Sequence, residues 1–397
     1  MRQLSAPSTG LTFLNADTGK GNAESVRIAG AHIAATGTAA APDDCLLDLH
    51  GDRLLPGLIN AHDHLHLNTV SPGESTDRWR HAREWVAQVN LRRRTDPVFE
   101  AQLGVSRDER LLIGGVKNLL SGVTTVAHHD ALYPALTGEH FPTCALTAYG
   151  WSHSLYIDGE QKVRNAYLST PPDHPWIIHA AEGVDEEAAG EFDRLDALGC
   201  LKPNTLIVHG IALDRAQRRR LEEAAAGLIW CPSSNLRLFG STAEVSDLSR
   251  CGRVALGTDS RLTGSRDLLC ELQVAREISG LEESTLESLV TTDAAALLRL
   301  TDRGVLKPGA RADLLVLPRG MTLSAATRSD VRLVVLGGRA LYADAEYARL
   351  VAPPTHWVAA RVDGTPKMLE GGLAAALRAA SVIEPGLEIS DLAWRAA

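Results

Sequence analysis

Long hydrophobic runs are missing from this 397-residue chain, although 45% of it is hydrophobic. No stretch approaches the ~20 consecutive apolar residues of a membrane-spanning helix, and the opening "MRQLSAPSTGLTFLN" lacks the apolar centre of a secretory leader. A cytoplasmic protein with no membrane partner is the expectation. Cysteine is sparse: Cys45, Cys144, Cys200, Cys231, Cys251 and Cys270 are scattered without C-x-x-C spacing. That pattern argues against a disulfide framework and fits reduced thiols. Positive charge is in deficit, with 40 Lys+Arg against 49 Asp+Glu and a formal net charge of −9. With no broad basic surface to release counterions, a nucleic-acid partner is not expected. The basic run "AQRRRLEE" alternates with acids and reads as a solvated helix face. Aromatic residues make up only 5%, so a stacking cage is not assumed. Two motif classes are also absent. "GWSHS" lacks the final glycine of a nucleophile elbow, and "GKGNAE" completes neither a phosphate loop nor a dinucleotide fingerprint.

The residues that are present have a clear order. Residues 1–55 read as short strands and turns, with "SVRIAGAHIAATG" as a hairpin, and form the N-terminal part of a small β domain. From 56 to 303 the pattern becomes strand, polar loop, helix, repeated. Strand candidates are "GVTTVAHHD", "CALTAYGWSH", "PWIIHAAEG", "TLIVHGIALD", "GLIWCPSSN" and "RVALGTDS". This alternation within ~250 residues predicts an α/β protein with a parallel sheet, best a (β/α)8 TIM barrel whose active site lies at the C-terminal rim of the strands. Strands return over 304–350, the C-terminal part of the small β domain. A β-sandwich built from both termini is therefore expected, followed by a loop and helix tail over 351–397.

Chemistry-bearing residues gather at the strand ends. "PGLINAHDHLHLN", residues 56–68, follows an apolar strand and places His62 and His64 two residues apart, on one face of an extended chain. His66 continues the alternation further into the loop, where a structural role is expected, and Asp63 points the other way as an anchor. Three more strand ends supply polar groups: "IIHAAEG" gives His179 and Glu182, "IVHGIALD" gives His209, and "ALGTDS" gives Asp259. A single strand-end histidine is an ordinary polar cap; this many converging on one rim is a candidate metal centre.

The stretches "PGLINAHDHLH", "GVTTV", "HAAE", "VHGIALD", "CPSSNLRL", "LGTDS" and "GVLKPGARADLLVL" run through nearly the whole chain. In them the sequence resembles the amidohydrolase superfamily, in the branch of cytosine, guanine and S-adenosylhomocysteine-type deaminases and triazine hydrolases. The resemblance implies that His62, His64, His179 and Asp259 hold one divalent metal ion, zinc or iron, with zinc preferred. It also implies that Glu182 shuttles protons, that His209 stands beside the water or substrate, and that Asp259 shares in proton transfer. Dinuclear relatives bridge their ions with a carboxylated lysine, but lysine is scarce here and the expected strand "CALTAYGWSHSLYI" has none. One ion is therefore expected.

Three neutral imidazoles and a carboxylate suit Zn²⁺ or Fe²⁺ and leave a corner for water. Such an ion brings the pKa of water from ~15.7 towards ~7. The expected reaction is aminohydrolysis, replacing an amino group of a nitrogen heterocycle or related amidine and releasing ammonia. Hydrolysis of a cyclic amide or other C–N bond, or displacement of a halide or alkylamine, is the alternative at the same site. A catalytically silent binding protein on the same barrel is the alternative of another class. His128, His153 and Asn235 are candidates for substrate contact, with His129 and Arg237 on the same rim. Trp79, Trp85 and Arg92 fall in a segment, 69–100, that could close over the pocket as a lid. A homodimer is expected only by analogy with such relatives.

Overall fold

The computed structural model describes residues 10–73, 77–352 and 356–393. Parts of the expected N-terminal segment (1–9), lid (74–76) and tail (353–355, 394–397) lie outside the described residues.

The middle of the chain forms parallel strands in two sheets. Leu58–Asp63, Val123–His128 and Cys144–Ala145 make a three-stranded sheet. Gly150–Ser154, Trp176–Ala180, Thr205–His209, Gly227–Trp230 and Val254–Leu256 make a five-stranded one. Most of these strands are buried along their whole length, as parallel strands covered on both faces must be. The last strand meets the first. Thr258 and Asp259 both donate backbone N–H groups to the His62 carbonyl (2.9 and 3.1 Å), and His64 donates to that of Asp259 (2.6 Å).

Side-chain caps set the helix starts between strands. Ser106, Asp185, Asp214 and Asp267 each accept a backbone N–H in the first turn of their helix, satisfying donors that have no partner within the helix. Asp214 completes a reciprocal capping box with Gln217.

"CALTAYGWSH" does not form one strand. Cys144–Ala145 pairs with Thr125–Val126, whereas Gly150–Ser154 pairs with the Trp176–Ala180 strand. Between them the Tyr149 hydroxyl lies 2.6 Å from the His128 carbonyl and 2.8 Å from that of Asp130, tying the bend to the neighbouring strand end.

Strands from both chain ends share one 11-stranded sheet. Arg53–Pro56 lies at its centre, antiparallel to Leu314–Leu317 on one side and next to Leu11–Asp17 on the other. The tail corrects the sequence reading. Instead of loop plus helix, it contains Trp357–Val362 and Thr365–Glu370 as a hairpin, the helix Gly371–Ala379 and the strand Leu387–Ala393, and its three strands extend this sheet. Buried Trp357, Val362, Met368 and Leu369 hold the hairpin against the core. The turn "DG" at 363–364 was the overlooked hairpin signal.

Candidate active site

The imidazoles and the carboxylate converge at the C-terminal ends of the parallel strands. His179 Nε2 lies 3.3 Å from His62 Nε2 and 3.4 Å from His64 Nε2. Asp259 Oδ1 lies 3.6 Å from both His62 Nε2 and His64 Nε2. Bonds of 2.0–2.1 Å to a tetrahedral ion place its ligands ~3.3 Å apart, so these atoms already outline a coordination shell. Without a cation, nitrogen lone pairs would face each other at these distances.

Hydrogen bonds on the far side of His179 and Asp259 fix their orientation. His179 Nδ1 is 2.9 Å from the His153 carbonyl, so its proton sits there and Nε2 offers a lone pair. Thr263 donates to Asp259 Oδ2 at 2.6 Å, leaving Oδ1 to face the imidazoles. Burial drives His62 down to about 4, and burial with neighbouring imidazoles holds His179 well below its ordinary value, so both are neutral at pH 7. Burial alone would raise Asp259, but His62, His209 and His64 outweigh it and keep the carboxylate ionised. Neutral nitrogen donors and one ionised oxygen donor fit a divalent transition ion.

The backbone adopts unusual conformations to achieve this. His209 (φ 74°) and Asp259 (φ 60°) are non-glycine residues in the left-handed region, each costing ~1–3 kcal/mol that the surrounding pairing must offset. Gly257 is required by close approach: a Cβ there would lie 2.7 Å from the His62 Cβ.

Glu182 and His209 adjoin the cluster, with Oε1 3.5 Å from Nε2. Glu182 is raised well above a normal carboxyl by burial, then by the charges of Asp259 and Glu191; a cation nearby would pull it back. His209 Nδ1 lies 2.8 Å from Asn235 Oδ1, which orients the ring with Nε2 towards Glu182. Such a carboxyl–imidazole pair can hold and move a proton.

Two of the expected substrate contacts are corrected. Asn235 is fully buried, and its side chain is engaged by His209 and by the Thr242 hydroxyl (3.1 Å). His128 is also buried, with Nδ1 3.3 Å from both the Asp63 carbonyl and the Leu65 amide. Neither lines the pocket, whereas His153 does. His129 lines it too, stacked on His179 at 4.3 Å. The cavity is about 210 Å³, walled by Trp85, Val86, Trp151 and Tyr156 opposite the imidazoles. Trp85 and Val86 come from the helix Ala82–Thr95, which is docked by the Ala82 amide on the Glu182 carbonyl (3.0 Å).

The sequence reading gave Asp63 as an anchor but missed its partners beneath the site. Asp63 Oδ2 accepts from Lys117 (3.0 Å), Asn118 (2.9 Å), Thr258 (3.1 Å) and Asn60 (3.2 Å), and Oδ1 accepts from Asn68 (2.8 Å). The available signal was "GGVKNLL", a lysine and an asparagine inside an apolar helical run.

Residues 169–341 match the family model described as Amidohydrolase family. A 5-methylthioadenosine/S-adenosylhomocysteine deaminase of Halobacterium salinarum is 26% identical over 378 residues, covering 79% of this chain and 86% of the relative. An 8-oxoguanine deaminase of Pseudomonas aeruginosa is 35% identical over 152 residues, 34% of each chain. Among solved structures, an adenosine deaminase from Xanthomonas campestris with bound zinc superposes with a TM-score of 0.68 at 18% identity, covering 84% of this chain and 92% of that one. Atrazine chlorohydrolase from Arthrobacter aurescens complexed with zinc gives a TM-score of 0.68 at 16% identity, covering 83% and 95%.

Proposed function

We propose that this chain, which carries an amidohydrolase family domain, is a zinc-dependent aminohydrolase acting on a small nitrogen heterocycle. The observation that carries the reading is the set of separations from 3.3 to 3.6 Å among His62, His64, His179 and Asp259, beside the buried Glu182–His209 pair. Those four residues would hold the ion, with zinc favoured over iron by the nitrogen-rich donor set and by the zinc in the superposed structures. A divalent ion there supplies Lewis acidity that makes water a nucleophile near neutral pH.

The chain's own residues do the rest. Glu182, ionised once the cation offsets its burial, accepts the proton that water gives up and returns it to the ring nitrogen or the leaving amine. His209, held by Asn235 at Nδ1, presents Nε2 to Glu182, and a proton passed from Glu182 to Nε2 lets the ring hydrogen-bond the oxygen on which charge develops. Asp259 remains a carboxylate and takes part in the second proton transfer. Trp85, Trp151 and Tyr156 flank the ring and exclude water. At about 210 Å³ the cavity falls below the ~300–1,000 Å³ of drug-sized sites, so the ring itself fills it. Among the described residues, those lining the pocket include neither lysine nor arginine, which favours a ring without phosphate or carboxylate.

The eight parallel strands are read as a closed (β/α)8 barrel spanning 56–303. A small β domain from both termini (1–55 and 304–350), extended by the tail strands between Trp357 and Ala393, flanks it.

The test is an ammonia-release screen of zinc-replete protein against aminopurines, aminopyrimidines and aminotriazines, with products identified by mass. Ammonia released with one oxygen gained in the ring supports the reading. Chloride or alkylamine released in place of ammonia across the panel would replace it with the displacement alternative. Protein that binds no metal after reconstitution would remove it.

A further inference from the structure

A second cluster of metal-ligating groups stands outside the four residues assigned above. One ring nitrogen each from His66 and His128 and a carboxylate oxygen of Asp130 lie within 4.8 Å of one another. His66 Nε2 is 3.6 Å from Asp130 Oδ2, and the two imidazoles meet edge to face with centroids 5.5 Å apart. We propose that His66, His128 and Asp130 bind a second divalent transition-metal ion of the zinc class, which staples the loop after the first strand to the end of the second.

Three observations carry this. First, His128 is 1% exposed, and its Nε2 has no hydrogen-bond partner among the described residues; the same holds for the buried Nδ1 of His66. Leaving such a polar atom unsatisfied is costly, and an ion at His128 Nε2 removes that cost there. Second, the outer contacts leave ligand atoms free. His128 Nδ1 lies 3.3 Å from both the Leu65 amide, which donates to it, and the Asp63 carbonyl; an ion at Nε2 selects the tautomer in which Nδ1–H turns to the Asp63 carbonyl. Asp130 Oδ1 accepts the Ala131 amide at 2.6 Å, leaving Oδ2 towards His66. Arg110 donates to the His66 carbonyl at 2.9 Å, fixing the loop from behind. Third, access is open on one side. Asp130 is 31% and His66 17% exposed at the side chain, and both line the pocket mouth. Two nitrogens and one oxygen with an open corner make a three-ligand site.

This ion is independent of the four-residue assignment, since no ligand is shared. The experiment is metal counting by mass spectrometry on the full chain dialysed against buffered zinc, with thermal melts at each zinc level. Wild-type protein is expected to hold two equivalents, while Asp130→Asn and His66→Gln hold one and lose the upper part of the zinc-dependent rise in Tm. His179→Ala is also expected to hold one, but to keep the part of that rise which Asp130→Asn loses. Wild-type protein at one equivalent with Asp130→Asn also at one overturns the proposal, as does Asp130→Asn remaining at two. Wild-type protein at one with Asp130→Asn at none upholds this site and removes the four-residue one. Melts without zinc show whether each variant folds, and His128→Gln supplies a third variant if either of the first two does not.

Discussion

Lys117 Nζ lies 3.0 Å from Asp63 Oδ2, and both side chains are completely shielded from solvent. Lys117 also reaches Asn68 Oδ1 at 2.8 Å and the Thr258 hydroxyl at 3.0 Å. Asp63 sits between His62 and His64, and Thr258 precedes Asp259, so one ammonium group ties the bases of three of the proposed ligands together. Removing one partner of a buried ion pair leaves an uncompensated charge and costs ~3–5 kcal/mol. Lys117→Met is expected to lower stability by about that amount and to weaken metal retention during dialysis. A melting temperature and zinc content equal to wild type would show that the network does not support the site.

Glu182→Gln preserves shape and removes the proton carrier. The variant is expected to keep its zinc and its melting temperature while turnover falls by ~10²–10⁴-fold. Steady-state kinetics beside metal analysis decides this, and undiminished turnover would assign the proton transfers elsewhere.

Asn235 acts on the ring of His209 rather than on substrate. Asn235→Ala removes the acceptor for the Nδ1 proton, and partners of this kind are worth ~10–100-fold. A fall in kcat of that size with little change in KM is expected, with partial recovery in Asn235→Asp, which restores an acceptor. A rise confined to KM would return Asn235 to the substrate-contact role.

Glu271 gives a pH signature away from the chemistry. Its carboxyl accepts the Ser233 amide at 2.8 Å, and burial pushes its pKa from 4.5 up to about 7. A raised carboxyl favours the protonated folded state. Its stabilising contribution is therefore complete below about 4.5, declines as pH rises to about 7 and is absent above. The span corresponds to about 3 kcal/mol. Glu271→Gln should lose less stability than wild type between pH 5 and pH 8, as measured by melts of both proteins. Parallel pH curves would contradict the assignment.

The histidine pair, His179, His209 and Asp259 were legible because each ends an apolar run, so local pattern alone locates them at a rim. Asn235 and His128 were misread because sequence places a polar residue near a rim but not the direction in which it faces; both turn behind the wall. Lys117 was legible only as an oddity, since its partner lies 54 positions away and no periodicity links them. The split of "CALTAYGWSH" depends on a Tyr149 hydroxyl reaching a neighbouring strand, a tertiary contact that β propensity does not encode. The tail was read as loop and helix because its short strands pair chiefly with one another and with the sheet already built by residues before them.

Arg53–Pro56 runs almost directly into the strand that bears His62, and it is flanked by Leu314–Leu317. During synthesis the first imidazoles emerge early, yet the segment that anchors them waits for a partner encoded far downstream. Such distant pairing slows folding, and a chain cut short before residue 314 would expose an unpaired, apolar strand edge. Premature termination should thus produce aggregating fragments in place of partly working enzyme.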